Sequence, residues 1–273
     1  MQMKPFQILS ALQWRTMVAG VERTERAVAE ETAIGICYDS EPYAVLMATP
    51  SDLEDLAIGF TVTERIARSV DVDDVRIGEH PDGLVVDVLL TAAGRDRAGP
   101  LRRRNIEGRS GCGLCGVQSL EEANRPLSPL AGGLTVRREA VQSALAALAT
   151  QQAMGQATRA THAAAWADAS GRLMAVREDV GRHNALDKLI GAATRAGFVP
   201  GQAFIVITSR CSYEMVEKTA LAEVGLLVAI SAPTMLAVRK AAIANMTLIA
   251  LARVDGHIVF TGAERVIDGA ETI

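Results

Sequence analysis

Aromatic residues are scarce. Two Trp, three Tyr and five Phe make up 4% of the 273 residues, which leaves few rings on which the bases of single-stranded nucleic acid could stack. An excess of positive charge is also lacking: 28 Lys and Arg stand against 32 Asp and Glu, a formal net charge of −4. No general field is therefore available to hold nucleic acid or an anionic membrane, and any anion site must be local. Long hydrophobic runs are absent too. The longest, at 226–232 and 241–252, fall short of the roughly 20 residues that a membrane span requires. Residues 1–10 show no basic start followed by a continuous apolar run, so no secretory signal is expected and the expected location is the cytoplasm. Cysteine is confined to positions 37, 112, 115 and 211, too few for a disulfide framework in a chain of this length. Their spacing points instead to reactivity or metal.

What is present is an ordinary globular composition, 49% apolar and 22% charged, in which Ala, Val, Leu and Ile must build the core. Short apolar runs at 33–38 and 43–49 flank the turn chemistry of Asp39 to Pro42 and predict a hairpin. Ser51 and Glu54 have the spacing of a capping box, which predicts a helix from Asp52 to about Arg65. A second hairpin is expected from 74–78 and 84–90 around His80 to Gly83. From about Thr91 to Pro129 the periodicity stops, which predicts a long functional loop. Thr135 to Met154 then has helical spacing.

Beyond it, strands at 162–167, 173–176, 203–208, 226–230 and 247–251 alternate with helices at 184–195, 213–223 and 233–244, the last with Pro233 in its first turn. A final hairpin turns at Asp255-Gly256. The expected fold is α/β: an α+β N-terminal domain over 1–130 that ends in the CxxC loop, and a layered α/β domain over 131–273.

The richest chemistry lies in Arg109-Ser110-Gly111-Cys112-Gly113-Leu114-Cys115-Gly116, a CxxC pair wrapped in glycine just after Arg102, Arg103 and Arg104. Two thiols so spaced can form a disulfide, bind metal or relay sulfur. Neighbouring guanidinium groups favour the thiolate, and the glycines permit close approach of another molecule. Half of a structural zinc site is the bland alternative, its remaining ligands coming from Cys37, Cys211 or a histidine. A thioredoxin-type dithiol would instead sit at a helix N-terminus after a strand. Zinc deaminase chemistry, suggested by combining CxxC with Thr161-His162-Ala163-Ala164, lacks the proton-shuttling glutamate two residues after the histidine.

His183, within Glu178 to Asn184, falls at a strand-to-helix junction where amides and Arg182 could receive an anion, or serves only as part of a helix cap. Arg210 follows another strand end, where α/β sheets tend to place ligands. Cys211 beside it reads as a packed small residue. Arg253 and Asp255 on the last hairpin could serve a guanine-bearing phosphate ligand.

These motifs together resemble the FdhD/NarQ family, the formate dehydrogenase accessory sulfurtransferases. The matching pieces are TPSDLEDLAIGF (49–60), GCGLCG (111–116), THAAAW (161–166), EDVGRHNALDKLIG (178–191), SRCSYEMV (209–216) and SAPT (231–234), in one order along nearly the whole chain. The resemblance implies a sulfur carrier that accepts sulfur as a persulfide from a cysteine desulfurase. It would pass that sulfur to the bis-molybdopterin guanine dinucleotide cofactor destined for formate dehydrogenase.

By position, Cys112 matches the persulfide-bearing cysteine and Cys115 its partner. The cofactor-binding segment maps onto Leu251, Ala252, Arg253, Val254, Asp255 and Gly256, where Leu251 and Val254 replace the family's usual Phe and Gly. The resemblance further implies a cytidine deaminase-like C-terminal domain and a homodimer.

Overall fold

The computed structural model describes residues 3–15, 18–99 and 126–268. It opens with a hairpin that the sequence reading does not anticipate. Strands β1 (Phe6–Arg15) and β2 (Val18–Ala29) pair antiparallel as a two-stranded sheet of their own. The expected hairpins follow: β3 (Thr32–Tyr38) with β4 (Glu41–Ala48), then β5 (Val72–His80) with β6 (Gly83–Leu90). Asp39 and Ser40 turn the first with φ of 47° and 69°, the paired positive φ of a tight hairpin loop. The four strands form one sheet in the order β4-β3-β6-β5.

Helix α1 (Leu53–Thr63) lies between the hairpins in sequence and against their sheet in space. The expected capping box does not form. Asp52 takes the N-cap position with φ of 52°, the Ser51 hydroxyl meets no partner among the described residues, and Glu54 turns to Arg195 at 2.9 Å. The aperiodic stretch also begins with order. Thr91 Oγ1 accepts the Gly94 amide at 3.0 Å and starts α2 (Ala92–Ala98). Asp71 pins that helix through Arg97.

After β7 (Val136–Arg137) come α3 (Arg138–Thr150) and α4 (Ala153–Thr158). The alternating half then runs β8 (His162–Asp168), β9 (Leu173–Asp179), α5 (Arg182–Arg195), β10 (Ala203–Ile207), α6 (Tyr213–Leu221), β11 (Leu226–Ala229), α7 (Met235–Ile243), β12 (Thr247–Arg253) and β13 (Gly256–Thr261). A short β14 (Val266–Ile267) pairs with β7. Pro233 is not inside α7: it precedes the N-cap Thr234, whose hydroxyl accepts the Ala237 amide at 3.2 Å. The hairpin between β12 and β13 turns at Val254-Asp255.

The six-stranded sheet has the order β13-β12-β11-β10-β8-β9, with β10, β11 and β12 parallel and the outer pairs antiparallel. Alternation along each strand divides its side chains between two cores. Ala164, Trp166, Ile205, Ile207, Leu227 and Ala229 face α5, α6 and α7, while Ala163, Ala165, Phe204, Val206 and Val228 face α3. Parallel strands buried on both faces need such continuous apolar runs. The chain is a mixed α/β fold with several sheets.

The two sheets meet through α1 and α5. Gly59 and Gly191 lie at this crossing; a Cβ on Gly59 would stand 1.8 Å from the Asp187 carbonyl oxygen, and one on Gly191 1.9 Å from that of Asp55. Only a missing side chain permits such an approach. Three buried charge groups bolt the contact. Asp55 receives Arg177 and Arg195, each at 2.8 Å. Asp187 receives Lys218 at 2.9 Å and the Thr63 hydroxyl at 2.7 Å. Asp179 receives Lys188 at 2.6 Å and the Thr49 hydroxyl at 2.7 Å, with Lys188 fully buried. Burial works to strip the proton from Lys218, but the charges of Asp187 and Glu64 outweigh it and hold its pKa above the ordinary lysine value. Removing one member of such a pair leaves an uncompensated buried charge, at a cost of about 3–5 kcal/mol.

Candidate functional site

Strands β9, β10, β11 and β12 all end at one edge of the six-stranded sheet, the position where open α/β sheets hold ligands. The loops there are tied together. The Cys211 amide donates to Ala232 O at 3.2 Å, the Thr234 amide to Cys211 O at 3.0 Å, and the Leu251 amide to Ser231 O at 3.2 Å. Leu251 itself has φ of 51° and lies where the register of β12 against β13 shifts. A left-handed leucine is strained and persists only where its surroundings fix it.

Basic groups converge on this edge. β9 delivers Arg182 and His183 as the first two residues of α5, whose first turn contains no acid. Cations at a helix N-terminus oppose the dipole, so this turn suits an anion that both the amides and the side chains can meet. His183 Nε2 lies 3.0 Å from Glu214 Oε2, which also accepts the Ser212 hydroxyl at 3.2 Å. The second oxygen, Oε1, is buried and meets no donor among the described residues. His162, at the start of β8, has its pKa lowered by burial first and then by the charges of Arg182 and His183.

Arg210 is exposed at the end of β10. Arg253 reaches back to the carbonyls of Ile230 and Ala252.

The predicted site residues therefore separate by role. His183, Arg210 and the Leu251–Arg253 stretch share the sheet edge. Val254 and Asp255 form the exposed turn beyond it, Gly256 opens β13, and the Ala252 side chain is packed in the core facing α3. Cys112 and Cys115 lie outside the described residues.

The other two thiols are unsuited to nucleophilic work. Burial pushes Cys211 up to about 12, and burial with the charges of Asp87 and Glu41 raises Cys37. Glu178 is also structural: its carboxylate accepts the Met154 amide at 2.9 Å and the Gly155 amide at 2.7 Å, capping α4. Sequence reasoning missed Glu214 as the partner of His183. Its one signal is its place in the first turn of α6, two residues after Ser212.

Comparison with known proteins gives a consistent result. The family model described as the FdhD/NarQ family matches residues 29–267. The chain is 43% identical over 257 residues to the Sulfur carrier protein FdhD of Bordetella petrii, covering 94% of this chain and 92% of that protein. It is 46% identical over 249 residues to the Sulfur carrier protein FdhD of Xanthomonas campestris pv. campestris, covering 87% and 85%. Among solved structures, it superposes with a TM-score of 0.77 on the crystal structure of a formate dehydrogenase accessory protein from Desulfotalea psychrophila. That match covers 97% of this chain and 100% of the other at 23% identity, and it establishes likeness of fold.

Proposed function

The chain belongs to the FdhD/NarQ family, and from this premise we propose that it is a sulfur carrier in which Cys112 bears a persulfide. The sulfur comes from a cysteine desulfurase and goes to the bis-molybdopterin guanine dinucleotide cofactor before that cofactor enters formate dehydrogenase. The Cys112 thiolate attacks the terminal sulfur of the donor persulfide, a new S–S bond forms, and the donor cysteine leaves as a thiolate. The Cys115 thiolate then attacks the inner sulfur of the Cys112 persulfide, the Cys112–Cys115 disulfide forms, the outer sulfur leaves as hydrosulfide to the acceptor, and a dithiol reductant returns the pair to thiols. The observation that carries the reading is the contrast among four thiols. Cys211 is buried and held protonated, Cys37 is raised by burial and acidic neighbours, and the CxxC pair alone stands among glycines with arginines close in sequence.

The cofactor is an anionic substrate, and the chain's net charge of −4 gives it no general attraction. Arg182, His183, Arg210 and Arg253 at the sheet edge supply local donors for its phosphates, and Leu251, tied to Ser231 at the same edge, begins the 251–256 segment. A second half like the cytidine deaminase fold, residues 1–130 as an N-terminal α+β domain ending in the CxxC loop, a homodimeric state and a cytoplasmic location complete the proposal. No helix among the described residues is long and apolar enough to cross a membrane.

Mass spectrometry after incubation with a cysteine desulfurase and cysteine tests the assignment. The expected result is one added sulfur atom on Cys112, its loss in Cys112→Ala, and failure of that variant to support formate dehydrogenase maturation. Normal maturation by Cys112→Ala refutes the carrier and favours an assembly chaperone that binds cofactor and enzyme without moving sulfur. Stoichiometric zinc, or insulin reduction dependent on both thiols, favours a zinc or dithiol redox protein.

A further inference from the structure

The β1–β2 hairpin is a sheet of only two strands, and a lone pair of strands is marginal in water without a third strand or a packed face. β2 rests against α4, yet much of the hairpin is open. Ile8, Leu12, Trp14 and Val21 are 65%, 62%, 77% and 41% exposed. Cross-strand register places them on one face, with Ile8 opposite Ala27, Leu12 opposite Arg23 and Trp14 opposite Val21. Apolar side chains gathered in this way mark an interaction surface.

The sequence of β2 specifies what fits it. Across Glu22, Arg23, Thr24, Glu25 and Arg26 the charges read as a palindrome of opposite sign about Thr24. We propose that the outer edge of β2 pairs antiparallel with the same edge of a second copy of this chain, on a two-fold axis through Thr24. The product is a four-stranded sheet in the order β1-β2-β2-β1.

In that register each Glu22 faces an Arg26, each Arg23 faces a Glu25, and the two threonines face each other. All are favourable cross-strand pairs. Neighbouring registers fail. Slipping by one residue in one direction opposes Glu22 with Glu25, and in the other Arg23 with Arg26. Parallel pairing in register stacks like on like. The outer edge of β1 has no such pattern, because Arg15 is its single charge. The two-fold joins the apolar faces of both hairpins into one surface and gives an isologous, closed contact. This inference rests on the homodimer reading above and names the surface that makes it.

Sedimentation velocity of the full chain across a concentration series tests it. The wild type should be a dimer. Arg23→Glu opposes two carboxylates at both symmetry-related pairs and should raise the dissociation constant at least about tenfold, with an unchanged circular dichroism spectrum. The double swap R23E/E25R restores opposite charges in the same register and should restore the dimer. A dimer indifferent to Arg23→Glu overturns the surface and leaves the homodimer reading intact. Failure of the double swap overturns the register, and a wild type monomeric throughout overturns both proposals.

Discussion

At the scale of single residues, environment rather than identity separates the chemistry-bearing side chains. Four histidines and four cysteines are present, but burial leaves Cys211 a packing group and strips charge from His162. The His162 effect has a defined sign. Its folded pKa is below the ordinary imidazole value of 6.5, so the unfolded chain takes up a proton first as pH falls. The stability that His162 contributes is complete above about 6.5 and is lost as pH falls through the folded value. Urea unfolding at a series of pH values should show this slope in the wild type and a shallower one in His162→Gln; equal slopes would remove His162 from the account.

Several of these roles were legible in sequence. Cys211 reads correctly as packed because it sits between a strand and a helix among small residues. The capping role of Ser51 does not survive, because a helix start depends on one backbone dihedral, at Asp52, that spacing alone does not encode. Lys188, Asp187 and Asp179 read only as parts of a motif, since their partners Thr49 and Thr63 lie more than 100 residues away along the chain.

At the scale of elements, strands and helices with strong periodicity were readable. The hairpins at Asp39 and Gly83 and the alternating elements from His162 to Arg253 match the sequence expectation to within a few residues. The β1–β2 hairpin was not, because Glu and Arg occupy both faces of β2 and erase the period-two signal. Helix α2 hid in an aperiodic stretch because it is seven residues long and held by Asp71, a tertiary contact.

The crossing of α1 and α5 gives the sharpest expectation at this scale. Gly191→Ala places a methyl group where the Asp55 carbonyl oxygen stands, which must push the helices apart. Overpacking of this kind costs about 1–3 kcal/mol. The urea midpoint of Gly191→Ala should fall accordingly with little change in slope. An unchanged midpoint would mean that the helices are not in this close contact.

At the scale of the whole molecule, α1 is buried between the four-stranded sheet on one side and α5 on the other, with the six-stranded sheet beyond α5. The stretches on either side of residue 130 build mostly separate cores, one from residues 34–98 and two from residue 127 onward, joined by the α1–α5 crossing and by buried charge pairs. Asp55, Glu64 and Thr49 all find their partners in the second half. Unfolding should therefore be a single cooperative transition. Native-state hydrogen exchange should report one opening free energy for the amides of Ile34–Ile36 and of Ile205–Ile207. A lower value confined to the first group would show the N-terminal sheet opening independently.

Besides Asp179, the Lys188 ammonium rests on two oxygen atoms supplied by Thr49, from the first half of the polypeptide. Neither half is a spare part. A gene fragment encoding only the alternating half would keep the buried Lys188–Asp179 pair but lose the Thr49 oxygens that complete it, so recombination that shuffles the two halves separately is penalised before any sulfur chemistry is at stake.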